Sequence, residues 1–168
     1  MTALCVGTAP VIEDGDLVLA ESSAIVEYIC RKHGGGRLLL GPDHREYADF
    51  LFWFHFANGS ILPAVMMEMA AMLLGVDPAV EAAHPAGSSR TVKAYAMADA
   101  RLGDAAYFAG DSFSAADIMM VFNLTSVRRF AQREIGPNVR AYLQRIAARP
   151  AYVRAMEKAD PGVPLHVE

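Results

Sequence analysis

The chain has 168 residues, of which 54% are hydrophobic and 20% charged, and its formal net charge is −4. This length suits one ordinary domain, and the apolar content excludes a disordered or fibrous protein. The negative net charge argues against a basic surface for nucleic acid, so we expect no nucleic-acid partner. The two cysteines, Cys5 and Cys30, are too few for a disulfide framework. No basic residue precedes Arg31, so the sequence predicts no signal peptide and a cytoplasmic protein.

Residues 1–36 predict a strand, a hairpin turn, a second strand and a helix. Two short β-type runs, Val11-Ile12 and Leu17-Val18-Leu19, flank a turn that contains Asp14-Gly15. Asp-Gly between two apolar runs is a strong hairpin signal, because the tight turn needs a positive φ. Ser22 then opens a helix with an apolar stripe, and the glycines at 34–36 end it.

From His44 onward the apolar spacing predicts helices only. A long helix begins near His44, bends near Pro63, where the backbone lacks an amide hydrogen, and resumes from Met66 to Leu74. A helix from Ser114 is apolar on nearly every face, which is typical of the centre of a bundle. The remaining helices are predicted from about Thr91 to Ala106, from Pro137 with a stripe at Val139, Tyr142, Leu143 and Ile146, and from Tyr152 to Lys158.

The uncharged run from Phe50 to Met67 reaches the length of a membrane span. It also contains His55, Asn58 and Pro63, which a typical span does not combine. We therefore interpret it as a helix buried on more than one face of the protein, and we expect no membrane partner.

The glycine-rich stretch 34–43 is the predicted boundary between two parts of the chain. Residues 1–36 form a small α/β piece, and residues 44–168 form an all-α domain. The predicted fold class is therefore α/β plus all-α.

Ser114 and Asp117 form the sharpest local pattern. Ser114 as N-cap and Asp117 three residues later have the spacing of a capping box, in which each side chain bonds the other's backbone amide. Phe113 and Ile118 stand at the two positions of a hydrophobic staple. Because a cap fully accounts for Asp117, we expect a structural role for it rather than a catalytic one.

Four stretches of the sequence resemble the glutathione S-transferase family. The capping pattern at 109–117 is similar to the one in the family's C-terminal domain, and 53–60 is similar to the first helix of that domain in a bacterial and fungal-type branch. Residues 7–12 through 21–25 resemble the third and fourth strands and third helix of its thioredoxin-like domain, and 149–152 resemble its closing helix. The resemblance implies a partial thioredoxin-like, glutathione-binding piece at 1–36, an all-helical C-terminal domain at 44–168, and a homodimer.

The resemblance also implies part of a glutathione site. Pro10 matches the family's cis-proline, and Ala9 would pair its backbone with the cysteinyl part of glutathione. Ser22, at a helix start, would bind the γ-glutamyl carboxylate, and Glu21 would bind the γ-glutamyl amine. In the alternative reading Pro10 only starts a strand and Ser22 only caps a helix.

The thiol activator of the family lies in a strand–helix–strand unit for which this sequence has no matching residues. We therefore predict no catalytic residue within the chain, and no cofactor apart from glutathione as co-substrate of a small hydrophobic electrophile. The expected function is glutathione conjugation by the complete protein, with a non-catalytic dimerisation or glutathione-binding module as the alternative. An incomplete version of a longer protein is a third possibility.

Three other sets of residues are considered as functional candidates. Cys5 is a conceivable replacement nucleophile, although an incidental thiol is the simpler interpretation. A group of methionines suits either an electrophile pocket or a core or dimer interface, and three aromatic residues share this ambiguity: Met66, Met67, Met69, Met72, Tyr47, Trp53 and Phe56. The five histidines have no metal-binding spacing, so no metal site is predicted.

Overall fold

The computed structural model of the protein describes residues 9–76, 88–127 and 134–162. An antiparallel hairpin comes first, with strand β1 at Val11–Asp14 and strand β2 at Leu17–Ala20. Gly15 begins the two-residue turn with φ of 62°, which glycine adopts without steric cost. Helix α1 follows at Ser22–Tyr28 and continues as a π-helical segment, Ile29–His33. The hairpin and helix predicted for this part of the chain are confirmed.

A polar cluster fastens the hairpin to the end of α1. Asp14 accepts hydrogen bonds from Tyr28 Oη at 2.8 Å and contacts His33 Nε2 at 2.7 Å. Lys32 Nζ lies 3.3 Å from the same carboxylate oxygen. These partners, His33 first, lower the pKa of Asp14 to about 2, so the carboxylate stays ionised and holds the two elements together.

The rest of the described chain is helical. Helix α2 is Tyr47–Phe56, and it passes through a π-helical segment, Ala57–Ile61, into α3 at Leu62–Leu73. Helix α4 is Ser88–Asp104, and α5 is Ala115–Phe122 with a π-helical continuation at Asn123–Val127. Helices α6 and α7 are Pro137–Ala147 and Pro150–Ala159.

The long second helix differs from its prediction at two points. It begins at Tyr47 rather than near His44, because His44 lies in a turn whose carbonyl accepts the Tyr47 amide at 3.0 Å. It also resumes at Leu62, where the N–H bonds the Ala57 carbonyl five residues back. Pro63 therefore falls in the first turn of α3, where its missing amide hydrogen is tolerated.

The core lies between α2, α4, α5 and α6. Trp53 packs on Phe108 with ring centroids 4.9 Å apart, and Phe108 packs in turn on Tyr142. The whole stripe predicted for α6 is buried: Val139, Tyr142, Leu143 and Ile146. The expectation for α5 is wrong in part, since Ile118 is 39% and Phe122 54% exposed.

The run Tyr47–Leu73 is long and apolar enough to cross a membrane by length and composition alone, and 39% of its most apolar 18 residues is buried. One face enters the core through residues such as Phe54, Ile61 and Val65. The opposite face is exposed along its length. The prediction of burial on more than one face is therefore wrong, and the apolar exposed face needs a separate explanation.

Asp117 accepts four hydrogen bonds at the start of α5. Its Oδ2 receives the Ser114 amide at 2.8 Å and the Ser114 hydroxyl at 3.1 Å, and the capping box is present. Its Oδ1 receives the Phe108 amide at 3.0 Å and the Tyr142 hydroxyl at 3.2 Å. Burial raises the pKa of Asp117 although these bonds favour the carboxylate. One side chain thus joins α5, the preceding turn and α6.

Candidate functional site

The residues expected to bind glutathione meet at the open end of the hairpin. The strand register pairs Val11 with Ala20 at this end. Ala9 and Pro10 lead into β1 at this end, and Glu21 and Ser22 follow β2 at the same end. Two separate stretches of the chain therefore bring these four residues to the same end of the hairpin.

The Ala9–Pro10 peptide bond is cis, as the resemblance implies. Both residues are exposed. The backbone of Ala9 is therefore reachable by an extended peptide approaching along the end of β1.

Glu21 has an unusual backbone conformation, with φ of 73° and ψ of 111°. A residue with a side chain rarely adopts a positive φ, and such residues concentrate at functional sites. Its carbonyl accepts the Ile25 amide at 2.9 Å, which begins α1. The exposed Glu21 carboxylate is thus carried on a backbone that α1 holds in place.

Ser22 is the first residue of α1, and Glu21 occupies the N-cap position without a side-chain capping bond. The Ser22 hydroxyl oxygen instead accepts a hydrogen bond from Asn58 Nδ2 at 2.8 Å. Because an amide nitrogen only donates, this contact leaves the Ser22 hydroxyl hydrogen available to an anion. The first amides of α1 also have no intrahelical acceptor, so this end of the helix offers further hydrogen-bond donors to an anion.

Sequence reasoning missed Asn58. The available signal was a polar side chain in the middle of an apolar run, on the π-helical segment Ala57–Ile61. The position of this segment is fixed by the buried Asn123, whose Nδ2 lies 3.3 Å from the Ala57 carbonyl. Tyr95 in turn donates its hydroxyl to the Asn123 carbonyl at 2.8 Å. The Ser22 hydroxyl is thereby connected to the core of the helical domain.

The structure shows how deeply the other candidate residues within the described chain are buried. Cys30 is buried, and burial raises the pKa of its thiol, which makes it a poor nucleophile. Cys5 lies outside the described residues. Trp53 is a core residue, and Tyr47 and Phe56 are partly buried against the core.

The methionine group on α3 is not a core cluster. Met66, Met67 and Met72 are exposed, while Met69 is partly buried against the core. With Phe52 and other exposed apolar residues of α2, they lie along the outward face of the run Tyr47–Leu73.

Comparisons with known proteins agree with the fold. The family model for the glutathione S-transferase C-terminal domain matches residues 62–150, and the one for the glutathione S-transferase N-terminal domain matches residues 5–37. Glutathione S-transferase 3 from Zea mays is 32% identical over 169 residues, covering 95% of this chain and 73% of that protein.

Solved structures have the same fold. A glutathione S-transferase from Actinobacillus pleuropneumoniae superposes with a TM-score of 0.79 at 23% identity, covering 95% of this chain and 72% of the other. A theta class glutathione S-transferase from Xanthomonas axonopodis pv. citri, solved with glutathione bound, has a TM-score of 0.60 at 24% identity, covering 89% and 72%. The chain spans 63% to 75% of the length of the curated relatives it matches. It belongs to the glutathione S-transferase family.

Proposed function

We propose that this chain binds glutathione at the open end of the hairpin, as part of a protein that conjugates glutathione to a small hydrophobic electrophile. The observation that carries the proposal is the pairing of Glu21, held at a positive φ, with the Ser22 hydroxyl, held by Asn58. The exposed carboxylate of Glu21 belongs to the residue next to Ser22, whose hydroxyl hydrogen, together with the first amides of α1, is suited to an anion. This pair complements the ammonium and carboxylate groups of a γ-glutamyl residue.

In the proposed complex the γ-glutamyl carboxylate accepts the Ser22 hydroxyl hydrogen and the first amides of α1. The γ-glutamyl ammonium pairs with Glu21. The backbone of Ala9, preceding Pro10, pairs with the cysteinyl backbone like an added strand. Residues 1–36 would thus supply the glutathione side of the site, and residues 44–168 the helical domain that supports it.

Conjugation joins the glutathione sulfur to an electrophilic carbon. The thiol loses its proton to solvent, the thiolate forms the sulfur–carbon bond, and the leaving group departs with its electron pair. We assign thiol activation to none of the 168 residues, and Cys30 is too buried to take part. We therefore expect this chain alone to give a conjugation rate equal to the uncatalysed background with an aromatic electrophile.

Members of the family use glutathione and an electrophile, and they typically form dimers. We propose that the protein is cytoplasmic and forms a homodimer that covers the exposed apolar face of α2 and α3. Phe52, Met66, Met67 and Met72 lie on this face, and Val92 and Met97 of α4 are also exposed. An apolar face of this extent is rare on a soluble monomer and typical of an interaction surface. A dimerisation module without catalysis is the second candidate function, favoured by the same face.

Calorimetric titration with glutathione tests the proposed site. Ser22→Ala and Glu21→Gln should each weaken binding by about 1.5–3 kcal/mol, since each removes a charge-assisted contact. Ser23→Ala is the matched control, because Ser23 neighbours Ser22 on the same turn of α1 and has no assigned role. Equal affinities for the parent, Ser22→Ala and Glu21→Gln would refute the assignment of the site.

A further inference from the structure

A hydrogen bond joins two π-helical segments of the helical domain. The segment Ala57–Ile61 carries Asn58 between α2 and α3, and the segment Asn123–Val127 continues α5. Asn123 Nδ2 donates to the Ala57 carbonyl at 3.3 Å. A π-helical turn within an α-helix is rare, and such turns are frequent at functional sites. The contact between these two turns is therefore a candidate for a role beyond packing.

The Ala57 carbonyl is the acceptor that makes the first of these turns π-helical. It accepts the Leu62 amide five residues later, where a regular α-helix uses the amide four residues later. It also accepts the Asn123 side chain, since a carbonyl oxygen has two lone pairs. Asn123 thereby holds this carbonyl where the wider turn needs it. The next residue, Asn58, is held where its Nδ2 reaches the Ser22 hydroxyl oxygen at 2.8 Å.

Asn123 is itself fixed by two other helices. It is fully buried, and its Nδ2 also lies 3.3 Å from the Met119 carbonyl of α5. Its backbone carbonyl accepts the hydroxyl of Tyr95, on α4, at 2.8 Å. Because both contacts lie in the core, Asn123 is a rigid reference against which the turn that carries Asn58 is placed.

The side chain of Asn123 is not the one that would best stabilise the fold. Its Oδ1 is buried and accepts no hydrogen bond from any group in the parts of the chain that the structure describes. A buried acceptor without a partner is unfavourable, and an apolar side chain of similar shape avoids that cost. Leucine has the branching of asparagine without its polar atoms. Unfavourable local choices of this kind are expected at functional sites, which points to a role of Asn123 in the site.

We propose that Asn123 is a positioning residue for glutathione. Through the Ala57 carbonyl and Asn58 it sets the orientation of the Ser22 hydroxyl, although it is fully buried. The inference rests on the proposed function, because Ser22 is the residue that binds the γ-glutamyl carboxylate there. The helical domain thus contributes to the affinity of a site that is built on residues 1–36.

Calorimetry with two ligands tests this role. Asn123→Leu should bind glutathione about fivefold more weakly than the parent, and it should bind N-acetyl-cysteinylglycine, which lacks the γ-glutamyl group, as the parent does. A residue that only supports the fold would leave the ratio of the two affinities unchanged. Thr125→Val is the matched control, since Thr125 is buried in the same π-helical segment and bonds only the Val121 carbonyl among the described residues. Its ratio should equal that of the parent.

A second variant and a second measurement keep the test decisive. Asn123→Ala removes the amide without adding volume, and it replaces Asn123→Leu if that variant fails to fold. In the ligand-free protein, the side-chain amide resonance of Asn58 should shift in the Asn123 variant and stay unchanged in Thr125→Val. A parent-like ratio of affinities in the Asn123 variant, or an unmoved Asn58 resonance, would overturn the proposal.

Ser22→Ala separates this inference from the proposed function. If the parent binds the two ligands equally, or if Ser22→Ala binds glutathione as the parent does, the proposed function fails and this inference fails with it. If Ser22→Ala weakens glutathione binding while the Asn123 variant keeps the parent's ratio, only the role of Asn123 is refuted.

Discussion

Replacing Asp117 by alanine removes the one acceptor that joins the start of α5 to two other parts of the helical domain. The lost partners are the amide and the hydroxyl of Ser114, the Phe108 amide and the Tyr142 hydroxyl, all in buried residues. The variant leaves the apolar core side chains in place. Its effect on stability therefore measures the buried hydrogen-bond network.

The expected loss exceeds that of a simple helix cap. An isolated capping residue contributes about 0.5–2 kcal/mol. Here four buried donors lose their acceptor, each at about 1–3 kcal/mol. The raised pKa of Asp117 shows that burial of the carboxylate is itself unfavourable, and its removal offsets part of this sum. We expect Asp117→Ala to lower the free energy of unfolding by roughly 3–4 kcal/mol.

Urea unfolding followed by circular dichroism measures this loss directly. Asp111→Ala is the matched control, because Asp111 lies in the same segment and, among the residues that the structure describes, forms only an exposed ion pair with Arg45. The control should change stability by less than about 1 kcal/mol. If Asp117→Ala is no less stable than Asp111→Ala, the buried network does not contribute as we argue.

Three further predictions address the fold and the assembly. A Cβ on Gly136 would lie 2.1 Å from Asp99 Cγ, so Gly136→Ala should lower the unfolding free energy by about 1–3 kcal/mol in urea, and an unchanged midpoint would contradict this. Because the pKa of Asp14 is lower in the folded protein than its unfolded value of 3.8, the ionised carboxylate stabilises the fold above that pH, and this stabilisation is lost as the pH falls through about 2. Carboxyl NMR should follow this titration, and an unchanged pKa of Asp14 in His33→Ala would contradict the assigned cause. Met67→Glu, at a residue 50% exposed on the apolar face, should shift light scattering from a dimer toward the 18.1 kDa monomer, whereas a monomeric parent would refute the interface.

The sequence predicted the structural features that depend mainly on residues close together along the chain. Asp14-Gly15 predicted the hairpin because a tight turn between strands needs positive φ at a glycine. The spacing of Val139, Tyr142 and Ile146 predicted the buried face of α6, since side chains three and four positions apart share one side of a helix.

The sequence did not predict contacts between residues that are far apart along the chain. Ser22 and Asn58 are 36 positions apart, and their hydrogen bond depends on how the π-helical segment sits against α1. The positive φ of Glu21 depends in the same way on the junction of β2 with α1. The exposure of Phe122 follows from which face of α5 meets its neighbours, which an all-round apolar pattern does not specify.

The claim that this chain holds a site for the γ-glutamyl group of glutathione is tested most directly by comparing two ligands. Calorimetry should give a dissociation constant for glutathione below about 10 mM, and binding of N-acetyl-cysteinylglycine, which has an acetyl group in place of the γ-glutamyl group, at least about tenfold weaker. Both peptides carry the same thiol, the same cysteinyl amide and the same glycine carboxylate, so the difference reports the contacts assigned to Glu21 and Ser22. No detectable heat with glutathione at about 10 mM, or equal affinity for the two peptides, would contradict the account.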